Sequence, residues 1–124
     1  MSNVKEISKL MKFIKKSKQF TIIHTQLDND INLVNLRVIP MLKKKFGMNI
    51  AYGNHCKDLN VIYLALGFEP SDLLFYVKGQ KMKKHIDDPH AYELNKLYEI
   101  IQNLRNLPNA IGDEVKIKMK GNIN

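Results

Sequence analysis

The sequence predicts a single α/β (α+β) domain, in which one sheet is covered by helices and the elements follow the order α-β-α-β-α-β-α-β. Segments with helical spacing of apolar residues alternate along the chain with short apolar, β-branched runs, the pattern of strands separated by helices. The 124 residues, 44% of them hydrophobic, suffice for one buried core. No linker composition and no internal repeat divides the sequence, so we expect residues 1–124 to form one domain.

The first half of the chain is expected to contain two helices and two strands. Apolar residues three and four positions apart, with lysines between them, predict an amphipathic helix over residues 3–17. The runs 20–23 and 48–52 predict short strands, because they combine apolar and β-branched residues. Between them, residues 31–46 carry a helical stripe that Pro40 is expected to kink or interrupt.

The second half repeats this alternation. Residues 59–66 predict a third helix, and the run 72–77, apolar from its second residue onward, predicts the central strand of the sheet. Residues 88–89, Asp-Pro, are expected to open the last helix, which Pro108 closes. Apolar residues alternate with lysines over 115–119, which predicts a strand at the edge of the sheet.

The charge of the chain favours a phosphate-rich partner. Twenty Lys and Arg against twelve Asp and Glu give a net charge of +8, and the pI is about 9.6, both typical of proteins that bind nucleic acid. Only Arg37 and Arg105 are arginines, and Lys, Asn and Ile are abundant, so an AT-rich genome could account for part of this basicity. A merely solvated lysine surface is therefore the alternative interpretation. No run of eighteen apolar residues occurs, and no membrane partner is expected.

One constellation resembles a metal site. His24, Asp28 and Asp30 follow the first predicted strand, where α/β enzymes often hold divalent cations, and their spacing is similar to the first motif of the DHH phosphoesterases. Such a site needs further carboxylates, yet Lys78 stands after the predicted central strand. The competing interpretation is a polar loop whose aspartate caps the next helix.

A second constellation could form a nucleophile and its base. His55, Cys56 and Asp58 follow the second predicted strand, but no nucleophile-elbow motif accompanies them, and a lone cysteine usually behaves as a small apolar residue. Gly53, Gly67 and Gly79 are isolated and form no glycine-rich phosphate loop, and no zinc pattern surrounds the cysteine. We therefore expect no catalytic residue, no metal and no cofactor.

Six short stretches occur in the order of motifs from one known family. Residues 33–37, Leu-Val-Asn-Leu-Arg, resemble its helical L-x-x-L-R signature, and residues 88–91, Asp-Pro-His-Ala, resemble the D-P-x-A that opens its fourth helix. The other stretches are 18–23, 53–55, 64–67 and 115–118 with Gly121. By these stretches the chain resembles the globular RNA-binding domain of the ribosomal stalk-base family, which includes the tenth large-subunit protein and the eukaryotic protein P-zero.

The resemblance implies a structural constituent of the ribosomal large subunit. Such a protein binds ribosomal RNA of the GTPase-associated region beside a neighbouring stalk-base protein, and it has neither catalytic role nor small-molecule substrate. The family's carboxy-terminal stalk-binding helix is expected to be absent, and Gly53 replaces the family lysine. Arg37 is the strongest candidate for RNA contact, because guanidinium pairs with phosphate in a bidentate manner, with an internal salt bridge as the alternative. The full set of expected contacts is Arg37, Lys43, Lys44, Asn54, His55 and Lys57.

Two other functions remain open at this point. The first is a ribosome assembly factor of the same family, and the second is a small metal-dependent phosphoesterase that uses His24, Asp28 and Asp30. The composition and the lack of a cleavable targeting segment favour a mitochondrial ribosome, with a bacterial cytoplasm as the alternative.

Overall fold

The computed structural model of the protein describes residues 2–14, 20–79 and 83–116. Within these ranges the chain is a small single α/β domain with four α-helices and five short strands, so the predicted fold class is confirmed. No helix of the described residues is long and apolar enough to cross a membrane. The elements are α1 (Val4–Met11), β1 (Thr21–Thr25), α2 (Val38–Phe46), β2 (Asn49–Gly53), α3 (Asn60–Leu66), β3 (Leu73–Leu74), β4 (Val77–Lys78), β5 (Tyr92–Glu93) and α4 (Leu97–Asn106).

The main sheet has three parallel strands in the order β1-β2-β3, and its centre is β2. The prediction of a central strand over residues 72–77 is therefore wrong. That run divides into β3, at one edge of this sheet, and β4, which pairs with β5 in a second parallel sheet. β2 takes the central place because Ile50, Ala51 and Tyr52 are all buried, as expected for a strand covered on both faces.

The last helix begins later than predicted. Residues 92–93 pair with β4 as β5, and only after a further 3₁₀ turn, Leu94–Lys96, does α4 start at Leu97. Ile100 is the side chain of α4 that enters the core, at 2% exposed, whereas Tyr98 is 78% exposed. The edge strand predicted over 115–119 lies mostly outside the described residues, as does the end of the first predicted helix.

Helix α2 shows how a proline is accommodated. It begins at Val38, so Pro40 lies in its first turn, where a backbone N–H has no partner within the helix. The predicted helix over 31–46 is interrupted: residues Ile31–Leu33 form a 3₁₀ turn capped by the Asp30 carboxylate. The helix ends at Gly47, whose φ of 62° is left-handed and suits glycine.

The helices and the sheet share one core. Side chains alternate between the two faces of each strand, and Ile50 and Tyr52 of β2 point into a cluster with helical residues. The helical members of the cluster are Ile39 and Leu42 of α2, Val61, Ile62 and Ala65 of α3, and Ile100 of α4. By the same alternation, Ile23, Thr25, Gly53 and Leu74 belong to the opposite face, where the functional site lies.

Candidate functional site at the carboxyl edge of the sheet

A pocket lies where the three parallel strands end. β1 ends at Thr25, β2 at Gly53 and β3 at Leu74, and their last residues line a cavity of about 270 Å³. The carboxyl edge of a parallel sheet is where α/β proteins bind ligands. The complete lining is Ile23, Thr25, Gly53, Asn54, His55, Leu74, Phe75 and Tyr76. None of these side chains is a Lys, Arg, Asp or Glu, so the described lining is largely apolar with a few polar groups.

The floor of the pocket is formed where β1 and β2 approach each other. A Cβ at Gly53 would lie 3.3 Å from both Ile23 Cγ2 and Thr25 Cβ, so a larger residue would press on β1. Beside it, the Thr25 hydroxyl oxygen is buried and has no hydrogen-bond partner among the described residues. A buried polar atom without a partner is costly, and at the wall of a pocket it is a candidate contact for a ligand.

A cluster of metal-ligating side chains adjoins the pocket. His55, Asp87 and His90 each offer one ligand atom, and these atoms lie within 4.8 Å of one another. The rings of His55 and His90 are 4.4 Å apart between centroids. Tyr76 packs edge-on against both rings, with centroid distances of 5.4 Å to His55 and 5.1 Å to His90. Tyr76 and His55 both line the pocket, so the cluster and the pocket share a wall.

The turn that carries Asp87 and His90 is fixed by hydrogen bonds. The Asp87 carbonyl accepts from the N–H groups of His90 and Ala91, at 3.1 and 3.0 Å. Lys78 on β4 holds the same segment, because its ammonium donates to the Asp88 carbonyl at 3.2 Å and lies 3.5 Å from a Glu93 carboxylate oxygen. The lysine at the end of this strand thus positions the turn.

His90 has the properties of a neutral metal ligand. Its side chain is 6% exposed, and its Nε2 atom is buried without a hydrogen-bond partner among the described residues. The nearest carboxylate oxygen, Asp87 Oδ1, is 3.5 Å away, which is too long for a good hydrogen bond. Burial lowers the pKa of His90, with a further contribution from His55, while Asp87 acts in the opposite direction. A neutral imidazole with a free nitrogen is the form that binds metals.

Two imidazoles and one carboxylate match the ligand sets that bind Zn²⁺, Mn²⁺ or Fe²⁺ in many proteins. Two ligand atoms on the same ion, each at about 2.1 Å, stand about 3.4 Å apart in tetrahedral geometry. No two of the ligand atoms in the cluster are more than 4.8 Å apart, so their separations exceed this value by little more than an ångström at most. Small rotations of the partly exposed His55 and Asp87 side chains would close it, so the residues fit a metal ion.

Comparisons with known proteins show the family to which the chain belongs. The model of the NeuB family matches residues 1–116. The chain belongs to the NeuB family. Its structure is similar to that of the N-acetylneuraminic acid (sialic acid) synthetase from Leptospira borgpetersenii serovar Hardjo-bovis in complex with citrate, with a TM-score of 0.80 and 21% identity. The match covers 97% of this chain and 43% of the synthetase chain. No curated protein matches the sequence.

Membership of the NeuB family overturns the ribosomal prediction. The predicted structural role in the large subunit is wrong, and so are the predicted partners, ribosomal RNA and a stalk-base protein. The predicted location in a mitochondrial ribosome is wrong for the same reason. The two alternative functions, the assembly factor and the phosphoesterase, do not match this family either. The expectations that the chain is no enzyme and has no small-molecule substrate are wrong as well, because the chain belongs to the NeuB family. The stalk-base motifs are three to six residues long and mark the ends of helices and strands, which many α/β domains share.

The expected RNA-contact residues lie on different elements of this NeuB-family structure. Asn54 is 1% exposed and its amide is used inside the protein, so it has no group free for RNA. His55 lines the pocket and belongs to the metal-ligating cluster. The others are exposed cations on different elements: Arg37 before α2, Lys43 and Lys44 in its last turn, and Lys57 before α3.

The predicted constellation of His24, Asp28 and Asp30 is structural. His24 is 7% exposed, and its Nε2 lies 2.9 Å from the Val34 carbonyl oxygen. Asp28 accepts from the Asp30 N–H at 2.8 Å, and Asp30 accepts from the Asn32 N–H at 2.9 Å. These carboxylates therefore stabilise the loop and cap its 3₁₀ turn, which was the competing interpretation. Cys56 is buried, as a small apolar residue would be.

Sequence reasoning misses Tyr76, Asp87 and His90. The tyrosine is hidden in an apolar run that predicts one strand. His90 lies in a polar connection and therefore resembles a surface residue, although it stands three residues after Asp87, a spacing that places both on one side of a turn. That spacing, together with a histidine directly after a predicted strand, is the signal that the sequence offers.

Proposed function

We propose that this chain provides a divalent metal site and a ligand pocket for a NeuB-type enzyme that forms a sugar acid of the N-acetylneuraminic acid type. The observation that carries the proposal is the position of His55, Asp87 and His90 beside the pocket at the carboxyl edge of the sheet. The similar structure supports the class of ligand, because it is that of an N-acetylneuraminic acid synthetase in complex with citrate. Since the chain spans 43% of the length of that synthetase, the proposal assigns binding steps to this chain and no bond-forming step.

The residues of the site have distinct roles in this proposal. A divalent cation held by the cluster supplies a Lewis acid that polarises a carboxylate or carbonyl oxygen of the ligand. His90 binds in its neutral form, and Tyr76 orients both imidazoles through ring contacts. Ile23 and Leu74 provide an apolar wall, and the unpartnered Thr25 hydroxyl is available for a ligand hydroxyl at the floor.

Metal binding is the first test. Titration of the purified chain with Zn²⁺ and Mn²⁺ by calorimetry should give one site per chain, and His90→Ala should abolish it. Glu99→Ala is the control, because Glu99 is an exposed carboxylate in the first turn of α4 and is not one of the three ligands. If wild-type protein binds neither ion, or if both variants bind like wild type, the metal site is rejected.

Ligand binding is the second test. N-acetylneuraminic acid and citrate, each titrated into metal-loaded protein and followed by amide chemical shifts, should perturb Thr25, Gly53 and Leu74. Removal of the metal with a chelator should weaken both ligands. Perturbations confined to exposed lysines such as Lys43 would show charge attraction to the surface and would contradict a pocket.

A further inference from the structure

A hydrogen-bonded chain of side chains lies directly behind the metal-ligating cluster. The Tyr52 hydroxyl donates to Asn54 Oδ1 at 2.8 Å, and Asn54 Nδ2 donates to the Tyr92 hydroxyl at 2.8 Å. The same amide bonds to both backbone groups of Cys56: Oδ1 accepts from its N–H at 3.3 Å, and Nδ2 donates to its carbonyl at 2.9 Å. All four bonding positions of the Asn54 amide are therefore used.

The orientation of this amide is unambiguous. A backbone N–H only donates and a carbonyl only accepts, so the two bonds to Cys56 fix which end of the Asn54 side chain carries the oxygen. The amide in turn sets the roles of the two tyrosine hydroxyls, because Tyr52 donates to its oxygen and Tyr92 accepts from its nitrogen. The network is thus rigid and has one arrangement.

The bond between Asn54 and Tyr92 joins the two segments that carry the histidines. Asn54 directly precedes His55 at the end of β2, and Tyr92 follows His90 by two residues at the start of β5. These segments are 38 residues apart in the chain and belong to different sheets, which share no strand pairing within the described residues. The bond therefore connects the end of β2 to β5, beside the residues that carry the two histidines.

We infer that Tyr92 is a positioning residue, whose hydroxyl, through Asn54, sets the distance between His55 and His90 for metal binding. This inference rests on the proposed metal site. Hydrogen bonds behind metal ligands commonly change metal affinity by about ten- to a hundredfold when they are removed. Tyr92→Phe removes the hydroxyl and keeps the ring, which packs edge-on against Phe75 at 5.6 Å. It should therefore weaken Zn²⁺ affinity by about tenfold or more.

The chain offers a closely matched control. The Tyr63 hydroxyl also accepts from an asparagine amide, that of Asn103 at 3.2 Å, and this bond joins α3 to α4 without involving the Asn54 amide. Tyr63→Phe should lower the melting temperature to a similar extent as Tyr92→Phe but leave Zn²⁺ affinity within about twofold of wild type. Equal loss of affinity in both variants would show a general effect on stability and would overturn the inference.

A second measurement tests the positioning without metal. In the metal-free protein, nuclear Overhauser contacts between the ring protons of His55 and His90 should be present in wild type and in Tyr63→Phe, and weakened in Tyr92→Phe. Unchanged contacts in Tyr92→Phe overturn the inference. If wild type shows these contacts but binds no metal, the proposed metal site is rejected. The ring contacts of Tyr92→Phe, compared with those of wild type, still decide whether Tyr92 positions the two histidines.

Discussion

Gly53 on β2 lies so close to Thr25 on β1 that a Cβ at position 53 would come within 3.3 Å of the Thr25 Cβ. The two residues are partners in the parallel pairing of these strands, and both face the pocket. Gly53 is extended and has no left-handed backbone angle, so its requirement for glycine comes from space alone. The missing side chain at position 53 leaves the floor of the pocket open. Because the strands approach so closely there, a single added methyl group would press on β1.

Gly53→Ala should therefore destabilise the protein and narrow the pocket. Overpacking of this kind costs about 1–3 kcal/mol, measured as the free energy of unfolding in urea. Gly67→Ala is the control, because Gly67 has right-handed helical angles and its Cβ would meet only a carbonyl oxygen at 3.5 Å. This control should be neutral or stabilising by up to about 1 kcal/mol. Equal stability of Gly53→Ala and wild type would show that β1 can move away.

Thr25→Val should change stability and ligand binding in opposite directions. The substitution replaces a buried hydroxyl that has no partner with a methyl group, so the free energy of unfolding should rise, by about 1 kcal/mol. Affinity for N-acetylneuraminic acid should fall by about three- to tenfold, the loss of one ordinary hydrogen bond. Thr21→Val, on the same strand and the same face but exposed, should change neither quantity. A rise in stability without loss of affinity would remove Thr25 from the ligand site.

The sequence was sufficient for the fold class because local patterns determine it. Helical spacing of apolar residues and short β-branched runs persist in the structure as α1, α2, α3, β1 and β2. Strand pairing is not local, so the run 72–77 could not be divided into β3 and β4 from its composition: both halves are equally apolar. The same limit applies to Tyr92, because its pairing with Val77 decides that a strand precedes α4.

The functional misassignment has a different cause. Lys43 and Lys44 resemble phosphate contacts in the sequence, yet they stand in the last turn of α2, where cations stabilise the negative end of a helix dipole in any protein. The position of His55 after a strand was informative, but its partners lie more than thirty residues later. The folded structure brings the rings of His55 and His90 to 4.4 Å, with Tyr76 edge-on against both, and this packing shows that the residues form one cluster.

The lowered pKa of His90 predicts a pH dependence of stability. Because the folded pKa lies below the unfolded value of 6.5, the unfolded chain binds more protons between these two values. The free energy of unfolding therefore has its full value above the unfolded pKa of His90. It decreases as the pH falls below that value and becomes constant again below the folded pKa. Urea unfolding between about pH 5 and pH 8 should show this decrease, and His90→Gln should remove it. A slope that persists in His90→Gln would contradict the assignment to this side chain.

Asn54→Asp should be the most damaging of the small substitutions near the site. Aspartate has the same shape but no amide donor, so the Cys56 carbonyl would face a carboxylate oxygen where it now accepts a hydrogen bond. The side chain is 1% exposed, and leaving such a buried acceptor unsatisfied costs about 1–3 kcal/mol, with more for a buried charge. Asn60→Asp is the control, because Asn60 is exposed at the start of α3, where a negative charge is favourable.

Urea unfolding should separate these two aspartate variants by several kcal/mol at neutral pH, on the order of the cost of a buried, unpaired charge. Lowering the pH should reduce the difference, since protonation of the buried carboxyl removes its charge and restores one donor for the Cys56 carbonyl. A difference that did not depend on pH would mean that the introduced carboxyl is already protonated in the folded protein at neutral pH. Equal stability of the two variants would contradict the role of the Asn54 amide as a fully bonded group between Tyr52, Cys56 and Tyr92.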